Sequence, residues 1–227
     1  MNLRTFIKKV LKEELTRLED RSEGFSFDAL NACETLEDAE QYAKTHLERV
    51  GQGLFRTAYG LDDNTVLKVL RTDGDDIDHM QNAQEARNAS CLPKRYVAQV
   101  LRKHPEFWWI VVERVNPLTI EKFIAELEKR LGPIPVAKNA TGMDTKPVST
   151  LDGLDSKENA FMMAVEYAVN SPSSSSPYNI KQWMTNKWYR GLIQAIRTCQ
   201  VEAHDFHHKN WGIRASTNEL VILDLGF

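Results

Sequence analysis

The stretch from Ala203 to Phe227, AHDFHHKNWGIRASTNELVILDLGF, constrains this chain more than any other. An apolar helical segment runs into Asp205, and Asn210 follows five positions later. A short polar turn leads to the strand-like run Leu220-Val221-Ile222-Leu223, which ends on Asp224-Leu225-Gly226. Two carboxylates and an amide delivered by a loop and a strand suit a magnesium and phosphate site. Magnesium is a hard ion that takes oxygen ligands, few from protein and the rest from water and phosphate. The same residues also read as a loop with an Asx-turn and an aspartate closing a strand. What precedes them has to decide.

A chain of 227 residues holds one large domain or two small lobes with cores. With 42% hydrophobic and 27% charged residues it falls among ordinary globular proteins. A net charge of -3 provides no basic field for nucleic acid. Cys33, Cys91 and Cys199 are odd in number and lack metal-ligand spacing, so they read as free thiols in a reducing compartment. Met1 to Leu18 alternates apolar residues with Lys, Arg and Glu, unlike a signal peptide, and no apolar run is long enough to span a bilayer. The expectation is a cytoplasmic protein with no membrane partner. Leu3, Phe6, Ile7, Val10, Leu11, Leu15 and Leu18 form one apolar helical face. It would pack on the domain or on a second copy, giving a homodimer through this helix.

Arg21 to Phe27 reads as a polar break, and Leu36 to His46 as a helix capped by Thr35 with Asp38 three residues on. Gly51 and Gly53 then precede the strand-like run through Phe55, Arg56 and Tyr59. Asp62-Asp63-Asn64 makes a hairpin turn, and Thr65 to Leu70 returns as a strand. Its Lys68 has apolar neighbours on both sides. A buried ammonium needs a partner, although an edge lysine can snorkel to water. A helix predicted over Asp76 to Ser90 has one glutamate, Glu85, seventeen positions after Lys68. It pairs either with that lysine or, at the surface, with Arg87.

Tyr96 to Leu101 and Phe107 to Glu113 read as strands joined by the turn Lys103 to Glu106, the second apolar enough to be buried on both faces. Glu113-Arg114-Val115-Asn116-Pro117 breaks the strand. A helix over Thr119 to Leu131 ends at Gly132-Pro133, Pro133 to Ser156 reads as a long loop, and Glu158 to Asn170 as a helix. Ser171 to Pro177 is a serine-rich linker, or a phosphoacceptor patch. The last helix, about Tyr178 to Glu202, carries an apolar stripe in which Trp183 and Trp188 read as core. His204, His207 and His208 with Cys199 match no zinc spacing and read as packing in a polar loop.

The glycine hairpin, Lys68, Glu85, the Asp205 and Asn210 loop, and Asp224-Leu225-Gly226 stand in an order that resembles the protein-kinase-like superfamily, over Val50 to Phe227. The resemblance implies an α+β, bilobal fold with an antiparallel sheet and helix C in the first lobe and a reduced, mainly helical second lobe. Residues 1–49 would be a helical extension, 50–117 the first lobe and hinge, and 118–227 the second lobe. It implies ATP and magnesium as cofactors. Asp205 would accept the proton of the attacking hydroxyl, Asn210 and Asp224 would hold magnesium, and Lys68, set by Glu85, would position the phosphates. Gly51, Gly53 and Arg56 would lie over the phosphates. Val112 would line the back of the pocket, with the Glu113 carbonyl and the Val115 amide on the adenine.

This chain departs from the family pattern in several places. Arg56 replaces the third loop glycine, Ala203 and His204 replace the usual His and Arg before the base, and His207 stands where protein kinases have Lys. The sequence given ends three residues after Asp224, so no activation segment is expected. Asp-x-His-x-x-Asn is similar to small-molecule phosphotransferases and to compact phage-encoded kinases. The implied function is phosphoryl transfer from ATP to Ser or Thr hydroxyls of a protein, its own chain included. The alternatives are a pseudokinase that binds a nucleotide or a host partner without turnover, and a small-molecule phosphotransferase.

Overall fold

The computed structural model describes residues 24–73, 80–134, 150–170, 180–202 and 206–224. The fold is α+β and divides into two compact units. One comprises the described residues up to Ala86 with Gln99–Arg114, the other Arg87–Ala98 with Val115 onward.

The first unit is built on a five-stranded antiparallel sheet: β1 Glu48–Gln52, β2 Arg56–Gly60, β3 Thr65–Leu70, β4 Val100–Lys103 and β5 Trp109–Glu113, in the order β1-β2-β3-β5-β4. Side chains alternate across a strand, so Leu67 and Val69 face one way and Lys68 the other. The Leu67 face is covered by α1 Phe27–Asn31 and α2 Leu36–His46, whose Phe27, Leu30, Ala39 and Ala43 pack with Tyr59, Trp109 and Val111. Thr35 caps α2 as its sequence promises, accepting from the Asp38 amide at 3.1 Å. α3, Met80–Cys91, brings Glu85 to the Lys68 face. β5 is buried from Trp109 to Val112, as its unbroken apolar run requires.

Two expectations for this unit are corrected. The supposed polar break at Arg21 to Phe27 holds Phe25 and Phe27, both buried, and Ser26 caps α1. A five-residue helix is too short to show a period. The strand expected from Tyr96 begins only at Val100, and the second strand begins at Trp109. Lys94–Tyr96 is instead a 3-10 turn, because Tyr96 and Ala98 serve the second unit. The Tyr96 hydroxyl donates to the Trp188 carbonyl at 3.1 Å and the Ala98 amide to that of Ile222 at 2.9 Å.

The second unit contains α4 Ile120–Leu131, α5 Thr150–Asn170, α6 Ile180–Thr185 and α7 Lys187–Cys199. Beside them lies a three-stranded sheet of β6 Asn116–Pro117, β7 Trp211–Arg214 and β8 Glu219–Ile222. Phe123, Phe161, Trp183, Tyr189 and Trp211 form an aromatic core, mostly edge-on or tilted. Here too the sequence reading needs correction. The loop expected to Ser156 gives way to helix from Thr150. The single helix over Tyr178 to Glu202 is broken at Asn186, whose side-chain oxygen accepts from the amides of Trp188 and Tyr189, and α7 stops at Gln200 with φ 54°. Trp211–Arg214, read as part of a turn, is a strand paired with Glu219–Ile222.

The cysteines overturn the free-thiol expectation. Cys91 and Cys199 form a disulfide with Cα atoms 5.7 Å apart and a sequence separation of 108, and Cys33 alone is a free thiol. Spacing could not show this, because the pair meets only where the ends of α3 and α7 do. The Met1 to Leu18 helix, the start of the Asp76 helix, most of the Pro133 loop, the Ser171 to Pro177 linker and Asp205 lie outside the described residues. Among those described, no helix is long and apolar enough to cross a membrane.

Candidate functional site

The predicted site residues fall in two groups, one in each unit. Gly51, Gly53, Arg56, Lys68, Glu85, Val112 and Glu113 belong to the first, and Val115, Asn210 and Asp224 to the second.

In the first unit Lys68 and Glu85 meet. The Lys68 ammonium lies 2.7 and 2.9 Å from the two carboxylate oxygens of Glu85. Glu85 is 2% exposed, so this is a buried ion pair and not a surface one. Register explains how it forms. Ala58 of β2 lies opposite Lys68 of β3, and an alanine there leaves room for a long side chain to cross to α3. The alternative partner Arg87 is not on this carboxylate.

Arg56 is the second cation on Glu85, its Nη1 2.5 Å from Oε2. It sits two residues before Ala58, on the same face of the sheet and diagonal to Lys68. Its Nη1 also donates to Asn82 Oδ1 at 3.3 Å. Asn82 is fully buried and donates to the carbonyls of Phe107 at 2.9 Å and Trp108 at 3.3 Å. Sequence reasoning missed Asn82. It lies three residues before Glu85 on one helix face, which was the available signal.

The glycines lie where β1 turns toward β2, and the Gly53 amide donates to the Arg56 carbonyl at 2.8 Å. A Cβ at Gly51 would sit 3.7 Å from that of Ala58, and one at Gly53 3.7 Å from the Arg56 carbonyl oxygen. Both are ordinary contacts, so the protein's own packing does not demand glycine at either place. Val112 is buried and lies opposite Val66 and Val100 across the sheet, and the Glu113 amide donates to the Gln99 carbonyl at 2.8 Å. Val115 is buried with Ala98 and Val221.

In the second unit the β7–β8 pairing continues one step beyond Trp211 and Ile222, with the Leu223 amide donating to the Asn210 carbonyl at 2.8 Å. That bond sets Asn210 beside the residue preceding Asp224. Both side chains are partly exposed and both offer hard oxygen donors, which fits magnesium. The 3-10 turn His208–Asn210 is held from α5. Glu158 Oε1 accepts from the His208 amide and lies 2.9 Å from its Nδ1. Fifty residues separate Glu158 from His208, and no spacing rule pointed to it. A cavity of about 390 Å³ at the C-terminal ends of α5 and α7 is lined by none of the predicted site residues.

No protein-family description matches the chain, and no curated protein does. Among solved structures, SAICAR-synthase from Saccharomyces cerevisiae in complex with SAICAR is similar with a TM-score of 0.33 and 13% identity. The match covers 79% of this chain and 73% of that one, and the likeness is too slight to bear on fold or activity.

Proposed function

We propose that the chain is a kinase-like protein that binds ATP with magnesium and transfers a phosphoryl group to a Ser or Thr hydroxyl of a protein. The observation that carries this is the buried Lys68–Glu85 pair. It joins the third strand of an antiparallel sheet to the next helix. A fold has no reason of its own to bury these charges, since a well-packed apolar pair would be as stable or more so. A lysine held by a buried carboxylate presents a fixed cation to phosphate oxygens. Glycines at 51 and 53 that internal packing does not require leave backbone open to close approach by a ligand.

Asn210 and Asp224 would hold magnesium, which when bound offsets the charge of the phosphates. Glu158, through His208, keeps the turn that carries Asn210 in place. Val112, the Glu113 carbonyl and the Val115 amide are assigned to the base, and Asp205 to the hydroxyl proton, by resemblance to the superfamily. Phosphoryl transfer is largely positioning and charge neutralisation, so each charged residue should matter by orders of magnitude.

The test is labelled MgATP with the intact protein beside Lys68→Met, Asp205→Ala and Asp224→Ala. Transfer to protein should fall at least about a hundredfold in each variant. Equal labelling in all four rules out catalysis at these residues. ATP-dependent thermal stabilisation without turnover would make the chain a binding module, and transfer only to small alcohols would change the acceptor class.

A further inference from the structure

We propose that Arg56 is a positioning residue. It holds the Glu85 carboxylate and so pins helix α3 to the sheet, and it does not itself meet the ligand. This rests on the nucleotide reading only for what Lys68 is set to contact.

Three observations lead here. First, the Arg56 side chain is 7% exposed and its Nη1 lies 2.5 Å from Glu85 Oε2. The guanidinium therefore faces the helix, under the sheet, and not the glycine turn from which its backbone comes. Second, its orientation is fixed by an amide that cannot turn around. Asn82 Nδ2 donates to the carbonyls of Phe107 and Trp108, which obliges Oδ1 to face Arg56. A flipped amide would set two donor groups against each other and leave the Phe107 carbonyl without this donor, while the Trp108 carbonyl would keep only the Leu70 amide. Third, the anchor of that amide is a strained turn. Phe107 has φ 59°, unusual for an aromatic residue, and its carbonyl is the one Asn82 holds at 2.9 Å. A chain of contacts thus runs from the β4–β5 turn through Asn82 and Arg56 to Glu85.

The consequence concerns Lys68. If Lys68 alone balanced Glu85, drawing the ammonium toward a phosphate would strand a buried carboxylate, at heavy cost. With Arg56 on the second side, Glu85 stays paired while Lys68 leans to an anion. The helix also keeps its place whether or not nucleotide is present. Regulation by swinging this helix away from the sheet would require breaking the Arg56 contact as well as the lysine's.

The experiment compares the intact protein with Arg56→Met, Arg56→Lys and Asn82→Ala. It measures amide hydrogen exchange over Met80–Cys91 without nucleotide and MgATP affinity by titration calorimetry. Arg56→Met should speed exchange in that helix and weaken MgATP about tenfold, with Arg56→Lys recovering most of both. Asn82→Ala should act in the same direction and more weakly. Weaker MgATP binding with unchanged exchange would make Arg56 a phosphate ligand and overturn the proposal. Unchanged exchange and unchanged affinity would overturn it too. If the wild-type protein does not bind MgATP, the proposed function falls, while faster exchange in Arg56→Met still upholds the pinning and unchanged exchange still refutes it. Should Arg56→Met fail to fold, Arg56→Lys and Asn82→Ala carry the same comparison.

Discussion

Arg56 and Arg214 are equally buried, each 7% exposed, but they are satisfied in different ways. Arg214 donates to the backbone carbonyls of Lys94 and Val97 at 2.8 and 3.0 Å, and its carboxylate partner Glu219 is 40% exposed on the side chain. It ties the β7–β8 hairpin to the 3-10 turn at Lys94–Tyr96, as a structural arginine does. Arg56 meets the side chains of Glu85 and Asn82, and the side chain of its carboxylate partner Glu85 is 3% exposed and shared with a lysine. A scaffold can satisfy a buried cation with carbonyls at little risk. Gathering three ionic side chains in one place costs desolvation that packing alone would not call for. The contrast separates a cation held by backbone carbonyls from two cations that share one buried carboxylate.

The sharpest way to break this contrast is to remove each carboxylate. Glu85→Ala takes the shared acid from a buried arginine and a half-buried lysine and should cost about 3–5 kcal/mol in urea unfolding. Glu219→Ala removes a half-exposed partner from an arginine that keeps both carbonyls, and should cost under about 1 kcal/mol. Similar costs for the two would show that the Glu85 cluster is no more interdependent than the Arg214 tie.

The next largest effect concerns covalent bracing. The Cys91–Cys199 disulfide closes a separation of 108 residues within the second unit. Reduction should lower stability by about 2–4 kcal/mol, chiefly by restoring freedom to the unfolded chain. Cys91→Ser should be equally weakened and indifferent to reductant. A reductant-sensitive Cys91→Ser, or a wild type that reduction leaves unchanged, would remove the cross-link from the account. The first unit, with Cys33 as a single thiol, relies on the α1 and α2 layer packed on its sheet.

What could be read from the sequence was what is local or periodic. Thr35 with Asp38 gives α2 its start because a cap and its partner are three residues apart. Lys68 and Glu85 could be paired because a polar residue in an apolar strand demands an answer and the next helix offered a single glutamate. The Asn186 break was hidden. The apolar stripe runs through it unbroken, and the cap shows only in the bonds of its oxygen to Trp188 and Tyr189 and of its Nδ2 to the Arg130 carbonyl at 2.6 Å. Asn186→Ala should therefore cost about 1–2 kcal/mol of thermal stability, against about 1 for Thr35→Ala. The disulfide, the Glu158 hold on His208 and the Arg56 contact were hidden for another reason. Each joins residues at least 29 positions apart that only tertiary packing brings together.

His104 shows a third way to handle a buried charge, and yields the smallest effect. Its ring stacks on Trp108 with centroids 4.6 Å apart, and its Nδ1 accepts from the Glu106 amide at 3.3 Å, which leaves the proton on Nε2. Burial pushes its pKa below the ordinary histidine range, and the charge of Glu106 pulls the other way without prevailing. Where Arg56 and Arg214 keep a charge and find partners, His104 stays neutral. Below the ordinary histidine value of about 6.5 the unfolded chain takes up a proton that the folded ring refuses. The contribution of His104 is thus complete above that pH. It declines as pH falls toward the lowered folded value and is constant below it. His104→Phe keeps the stacking and loses the titration, so its urea midpoint should fall less than the wild type's between pH 7 and pH 5. Parallel losses in the two proteins would mean that the ring is protonated in the fold as readily as outside it.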